Sequence, residues 1–198
     1  MKKNVLLFLL LCTISAGSAQ ALFRLNQYNI LYNDKIMPVF TLYAGQNLSN
    51  HWGVSAYFYV NGTKGSSWGE GLAGPVWTPV KGLSLAFLAG FQSNEEQLFR
   101  FSPIVMASRG KFSGFAAFEY GGKRHRWDVM AFYNTGRWKT GAELIRFYDM
   151  YAAGPRVELL CCKKQAITTF LSGMWDWVNG KPVLMFGIYA TFAGKAPE

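Results

Sequence analysis

The sequence predicts an all-β protein: a closed, antiparallel, up-and-down transmembrane β-barrel, of twelve strands with ten as the alternative count. Three observations predict it. Polarity alternates with a period of two along nearly the whole chain, the tryptophans fall near the ends of the alternating segments, and beyond the leader no apolar run approaches the ~18 residues a membrane helix needs. Mean hydropathy is only +0.08. Charged residues form 16% and aromatics 17% of the 198 residues, against about 25% charged in an ordinary soluble domain. This balance excludes a disordered chain, collagen, a coiled coil and a polytopic helical membrane protein.

The first element is a leader. Lys2 and Lys3 supply a positive start, Val5 to Cys12 an apolar stretch, and Ala16, Gly17, Ser18 and Ala19 a run of small residues. That order is a secretory signal peptide over residues 1–19, with cleavage after Ala21 as the alternative, leaving 20–198 as one barrel domain. Leu11 stands where a lipidated Cys12 would need a small residue, which argues against a lipoprotein. Loss of Lys2 and Lys3 lowers the formal charge of +9, yet the chain stays basic. Its cations, including Lys64, Lys81, Arg109, Lys123, Arg124 and Lys181, fall in expected turns and form no stripe, so no nucleic-acid partner is expected. Cys161 and Cys162 are adjacent and in a strand point to opposite faces, which suits neither a disulfide nor zinc.

The strands are expected near 22–32, 36–45, 52–61, 69–79, 82–92, 98–108, 111–121, 125–134, 137–147, 154–162, 166–177 and 182–192. Leu83, Leu85, Phe87, Ala89 and Phe91 share one face, opposed by Ser84, Ala86, Leu88, Gly90 and Gln92. Near the end, Leu184, Phe186, Ile188, Ala190 and Phe192 oppose Val183, Met185, Gly187, Tyr189 and Thr191. Thr135-Gly136 and Asn179-Gly180 supply the φ > 0 positions of tight hairpins. The longest connections are expected near Gly62 to Gly69 and Tyr148 to Gly154.

Alternation alone does not decide which face points inward; the tryptophans do. In this register Trp52, Trp77 and Trp138 lie at the side where the chain enters, and Trp68, Trp127, Trp175 and Trp177 at the opposite side. Two such girdles match the headgroup levels of a bilayer. Segments of ~9–11 residues also suffice to cross its core when tilted. The last segment, alternating up to Phe192, resembles the C-terminal assembly signal of bacterial outer-membrane barrels, although six residues follow that aromatic. The resemblance is to small porin-like barrels as a class. It implies an outer-membrane location, delivery by the barrel-assembly machinery, and membrane lipids and lipopolysaccharide as partners, the latter meeting the basic rim of Lys64, Lys123, Arg124 and Lys181.

The inward face carries Arg24, Arg100, Glu119, Arg126, Asp128, Lys139, Glu143, Arg156, Glu158 and Asp176. A two-residue turn at Arg109-Gly110 sets Arg100 opposite Glu119. One at Thr135-Gly136 sets Asp128 beside Glu143, and joining Tyr120 to Trp127 sets Glu119 beside Asp128. A mid-lumen charged belt follows, made of Arg100, Glu119, Arg126, Asp128, Lys139, Glu143, Arg156 and Glu158, with carboxylates side by side. Such a ring tunes ion preference in a pore. The expected function is a passive pore for ions or small solutes with this belt as its constriction. The alternatives are a non-conducting structural or partner-binding barrel and, third, a rim enzyme acting on lipid. Only His51 and His125 could serve a nucleophilic serine such as Ser66 or Ser67; the expectation is that the protein is not an enzyme and uses no cofactor or metal.

Overall fold

The computed structural model describes residues 21–63, 66–93, 98–121, 125–147, 149–162 and 166–193; the expected signal peptide lies outside them. Twelve strands follow one another: β1 (Ala21–Tyr32), β2 (Lys35–Asn47), β3 (Trp52–Thr63), β4 (Ser66–Val80), β5 (Leu83–Gln92), β6 (Phe99–Arg109), β7 (Phe112–Gly121), β8 (Arg126–Thr135), β9 (Trp138–Phe147), β10 (Met150–Cys162), β11 (Ile167–Asp176) and β12 (Lys181–Ala193). Each pairs antiparallel with its sequence neighbours, and β1 pairs with β12 to close the barrel. Both described ends therefore lie at one rim. The expected long connections are shorter than the sequence suggested, because β3 and β4 extend to Thr63 and from Ser66, and β10 starts at Met150.

Alternation fixes the faces. Along β11, Thr168, Phe170, Ser172, Met174 and Asp176 are buried. Leu171 and Trp175 between them are more than half exposed. The outward surface elsewhere is just as apolar, with Phe87, Phe91, Phe112, Ile188 and Phe192 all exposed. A sheet whose greasy side faces outward and whose ionic side faces a common axis is stable only in lipid.

The registers differ from those the sequence suggested. Arg109 pairs with Phe112, Thr135 with Trp138 and Glu119 with Arg126, so the partner moves by two residues in each hairpin. In two of them the cause is the turn glycine. Gly110 (φ 59°) and Gly136 (φ 69°) occupy the first central position, not the second, which is the type II′ arrangement. A slip of two leaves every side chain on its face, because the period is two. Facing was thus insensitive to the error, whereas partners were not. Arg100 lies opposite Gly121 rather than Glu119. Asp128 lies between Ala117 and Ile145, not beside Glu119 and Glu143.

Six of the seven tryptophans face outward near the rims. Trp52 and Trp77 are cross-strand partners at the terminus-bearing rim, their rings stacked 6.3 Å apart. Trp138 is exposed at that rim, and Trp127, Trp175 and Trp177 lie near the other. Trp68 is the exception and corrects the expected girdle. It is 7% exposed and lies on the inward face of β4 with its ring edge-on to Tyr59 at 5.1 Å.

Inward glycines let strands approach closely. A Cβ at Gly90 would run into the backbone of Gly71 and Leu72 on β4, whereas one at the outward Gly173 would meet nothing within 4 Å. Gly90→Ala is expected to reduce stability by about 1–3 kcal/mol, the usual cost of overpacking, read as a lower urea midpoint in detergent micelles. Gly173→Ala should match the parent; equal midpoints for both variants would show that β4 yields without cost.

Candidate functional site

The lumen collects the charged side chains. Glu119 on β7 and Arg126 on β8 are direct cross-strand partners, joined by an ion pair of 2.5 Å from Nη2. From β4, Glu70 reaches the same Nη2 at 2.7 Å, and the Tyr57 hydroxyl lies 3.3 Å from it. The Arg126 guanidinium also sits 4.1 Å over the Tyr59 ring. Glu70 in turn meets Arg100 Nε at 3.7 Å, while that Nε donates a short hydrogen bond to Gln92. Arg126 is therefore clamped between two carboxylates and an aromatic face.

A second clamp stands on β9 and β10. Arg156 binds Glu143 through Nη1 at 2.9 Å and Glu158 through Nε at 3.0 Å, with its guanidinium 3.9 Å over the Phe170 ring. Ser172 donates a short hydrogen bond to Glu143, and the Tyr189 hydroxyl donates to Glu158 at 2.5 Å. Lys139 approaches Glu158 at 3.5 Å and is 41% exposed. Arg24 stacks on Tyr189 at 3.8 Å. Buried Asp128 Oδ1 has no hydrogen-bond partner among the described residues.

Every member of the expected belt faces the lumen, but its order differs. The sequence suggested a row of adjacent carboxylates; the two-residue shift instead puts Arg126 beside Glu119 and separates Asp128 from Glu143. Like charges are thus replaced by opposite ones. Glu70 and Gln92 were missed as members. In β4 the outward positions are Gly69, Gly71 and Ala73, while Trp68, Glu70 and Leu72 are buried. Small residues outside and bulky ones inside invert the polarity pattern that marked the other strands.

Beyond the clamps, toward the rim opposite the chain ends, the lumen is apolar. Tyr59, Trp68, Phe147, Met150, Met174 and Val183 belong to one buried cluster there. At the edge, fully buried Asp176 accepts hydrogen bonds from the Tyr32 hydroxyl (2.7 Å), Asn179 Nδ2 (2.8 Å) and backbone N–H groups of Tyr151, Val178 and Asn179. On the other side a cavity of about 380 Å³ reaches from Arg24, Tyr43, Met106 and Phe132 to Arg126, Asp128 and Arg156.

The histidines do not meet. His51 is exposed, with Nδ1 2.9 Å from the Thr78 carbonyl oxygen at the terminus-bearing rim. His125 is exposed at the other rim, its ring 5.3 Å from that of Tyr120. Among the described residues neither ring is hydrogen-bonded to a serine hydroxyl; Lys64, Lys123 and Arg124 of the expected basic rim, and the Ser66 side chain, lie outside them.

No protein-family model matches this chain, and no curated protein sequence does. Solved structures do match. A KdgM porin in complex with disordered oligogalacturonate is 12% identical, covering 85% of this chain and 99% of its own, with a TM-score of 0.62. The NanC porin is 12% identical over 83% of this chain and 98% of its own, with a TM-score of 0.56. Outer membrane phospholipase A from Escherichia coli is 10% identical over 85% and 89%, with a TM-score of 0.51. At these identities the likeness is one of fold. The chain shares the closed antiparallel barrel fold of these outer-membrane structures.

Removing the shared cation of the first clamp leaves Glu70 and Glu119 facing each other, both nearly fully buried. Arg126→Met should cost about 3–5 kcal/mol, as expected when one partner of a buried pair is deleted. The reading is a lower temperature at which the compact band on a gel converts to the unfolded one. Lys139→Met, at an exposed position, should leave that temperature unchanged; conversion of both variants at the parent temperature would show that the clamp adds nothing.

Proposed function

We propose that the barrel is a narrow small-solute pore of the outer membrane, held closed at rest by the aromatic cluster around Trp68. The observation that carries this reading is the one-sided lumen. A cavity enters from the terminus-bearing rim, reaches the clamped arginines and meets Tyr59 and Phe147, with Trp68 packed edge-on to Tyr59 in the same buried cluster. The obstruction consists of side chains from the wall itself, so rotamer changes alone could open a path. Arg100, Arg126 and Arg156 are all held by carboxylates. A route for acidic oligosaccharides such as the one bound by the KdgM porin would need free cations, so the charge balance here favours small ions or near-neutral solutes.

A second reading is a sealed barrel braced by its ion pairs. It is favoured by Arg126 and Arg156 each being gripped by two carboxylates at contact distance. Conductance separates the two. The refolded parent in planar bilayers should show no steady current, whereas Trp68→Ala combined with Tyr59→Ala should give persistent steps. Steady current through the parent would remove the plug from the proposal; silence in the double variant, with correct folding checked by gel mobility, would leave the sealed barrel.

A further inference from the structure

On the outer wall a cation sits where lipid should be. Across β8, β9 and β10 the direct neighbours Trp127, Arg146 and Tyr151 share the outward face, and Trp177 continues the row, its backbone N–H bonded to the Tyr151 carbonyl. Among the described outward residues of β8 to β11, Arg146 is the only charged one. Its guanidinium lies 4.8 Å over the Tyr151 ring, with Trp127 and Trp177 at 6.4 Å and 6.1 Å from that same ring. Its Nε is buried and without a hydrogen-bond partner, and no ion pair holds it among the described residues.

We infer that Arg146, framed by Trp127, Tyr151 and Trp177, binds a phosphate group of lipid A on the outside of the barrel. A guanidinium presents a planar fork of donors that matches phosphate oxygens two at a time. Stacking on Tyr151 holds that plane and restricts its rotation. The tryptophans mark the headgroup level, where a lipid phosphate is at hand and a charge on the wall is tolerated. The leaflet follows from the connections. Arg146 ends β9 at the rim opposite the chain ends, and that rim carries the longest link, between Gln92 and Phe99. In outer-membrane barrels the longer loops lie outside and short turns face the periplasm, so the facing leaflet is the one that holds lipopolysaccharide. The cation, outward between inward Ile145 and Phe147, is thus a receptor for lipid.

The mature chain, refolded in detergent, is offered lipid A, its fully dephosphorylated analogue or phosphatidylglycerol at equal concentration, and retained lipid is counted by native mass spectrometry. The parent should retain lipid A at least about tenfold better than Arg146→Gln, and Arg109→Gln, at the other rim, should equal the parent. Equal retention by Arg146→Gln overturns the site. Retention of the dephosphorylated analogue as well as lipid A overturns the phosphate, and equal retention of phosphatidylglycerol overturns lipid A as the source. Should Arg146→Gln not refold, the two comparisons on the parent protein and the loss expected in Tyr151→Leu decide the matter.

Discussion

Hydrocarbon offers no partner to a peptide N–H or carbonyl, so a sheet placed in it must satisfy every backbone group within itself. The pairing of β1 with β12 does this, and the rest of the molecule depends on it. A closed sheet has an inside, and here side chains from the wall fill half of it. Polar side chains turned toward the axis must then bond to one another. The arginine clamps are the outcome of that confinement. Burying a charge is costly unless partners surround it, and Arg126 and Arg156 each meet two carboxylates and an aromatic face.

The lumen therefore behaves like the core of a small soluble domain in one half and like a solvated vestibule in the other. Tyr59, Trp68, Phe147 and Met150 pack as core residues do, while Arg24 and Lys139 border the cavity. Tyr59 joins the two regimes. Its ring supports Arg126 on one side and contacts Trp68 and Phe147 on the other. A change in the clamp is thus felt in the apolar cluster through a single rigid ring.

Much of the fold was legible because a two-residue period writes the facing of each side chain directly into the sequence. The belt members Arg100, Glu119, Arg126, Asp128, Glu143, Arg156 and Glu158 all face inward for that reason. Their partners were not legible. Pairing depends on which turn position holds the positive φ, and Gly110 and Gly136 sit one place earlier than their preceding residues suggested. Trp68 reads as a girdle residue and Glu70 goes unmarked because Gly69 and Gly71 leave the outward face of β4 without an apolar marker. Tryptophan near a strand end is ambiguous when its neighbours are glycines, since the ring then finds more contact inside than outside.

Asp176 has a consequence of its own. Its carboxylate gathers Tyr32 from the first strand, the amide of Tyr151 from the tenth and the turn that leads into the last. The Tyr32 bond spans the seam where the two ends of the sheet join. It cannot form while that seam is open, so it favours the finished ring over any partly zipped precursor. Asp176 acts as a clasp, fastened only after the sheet has come full circle.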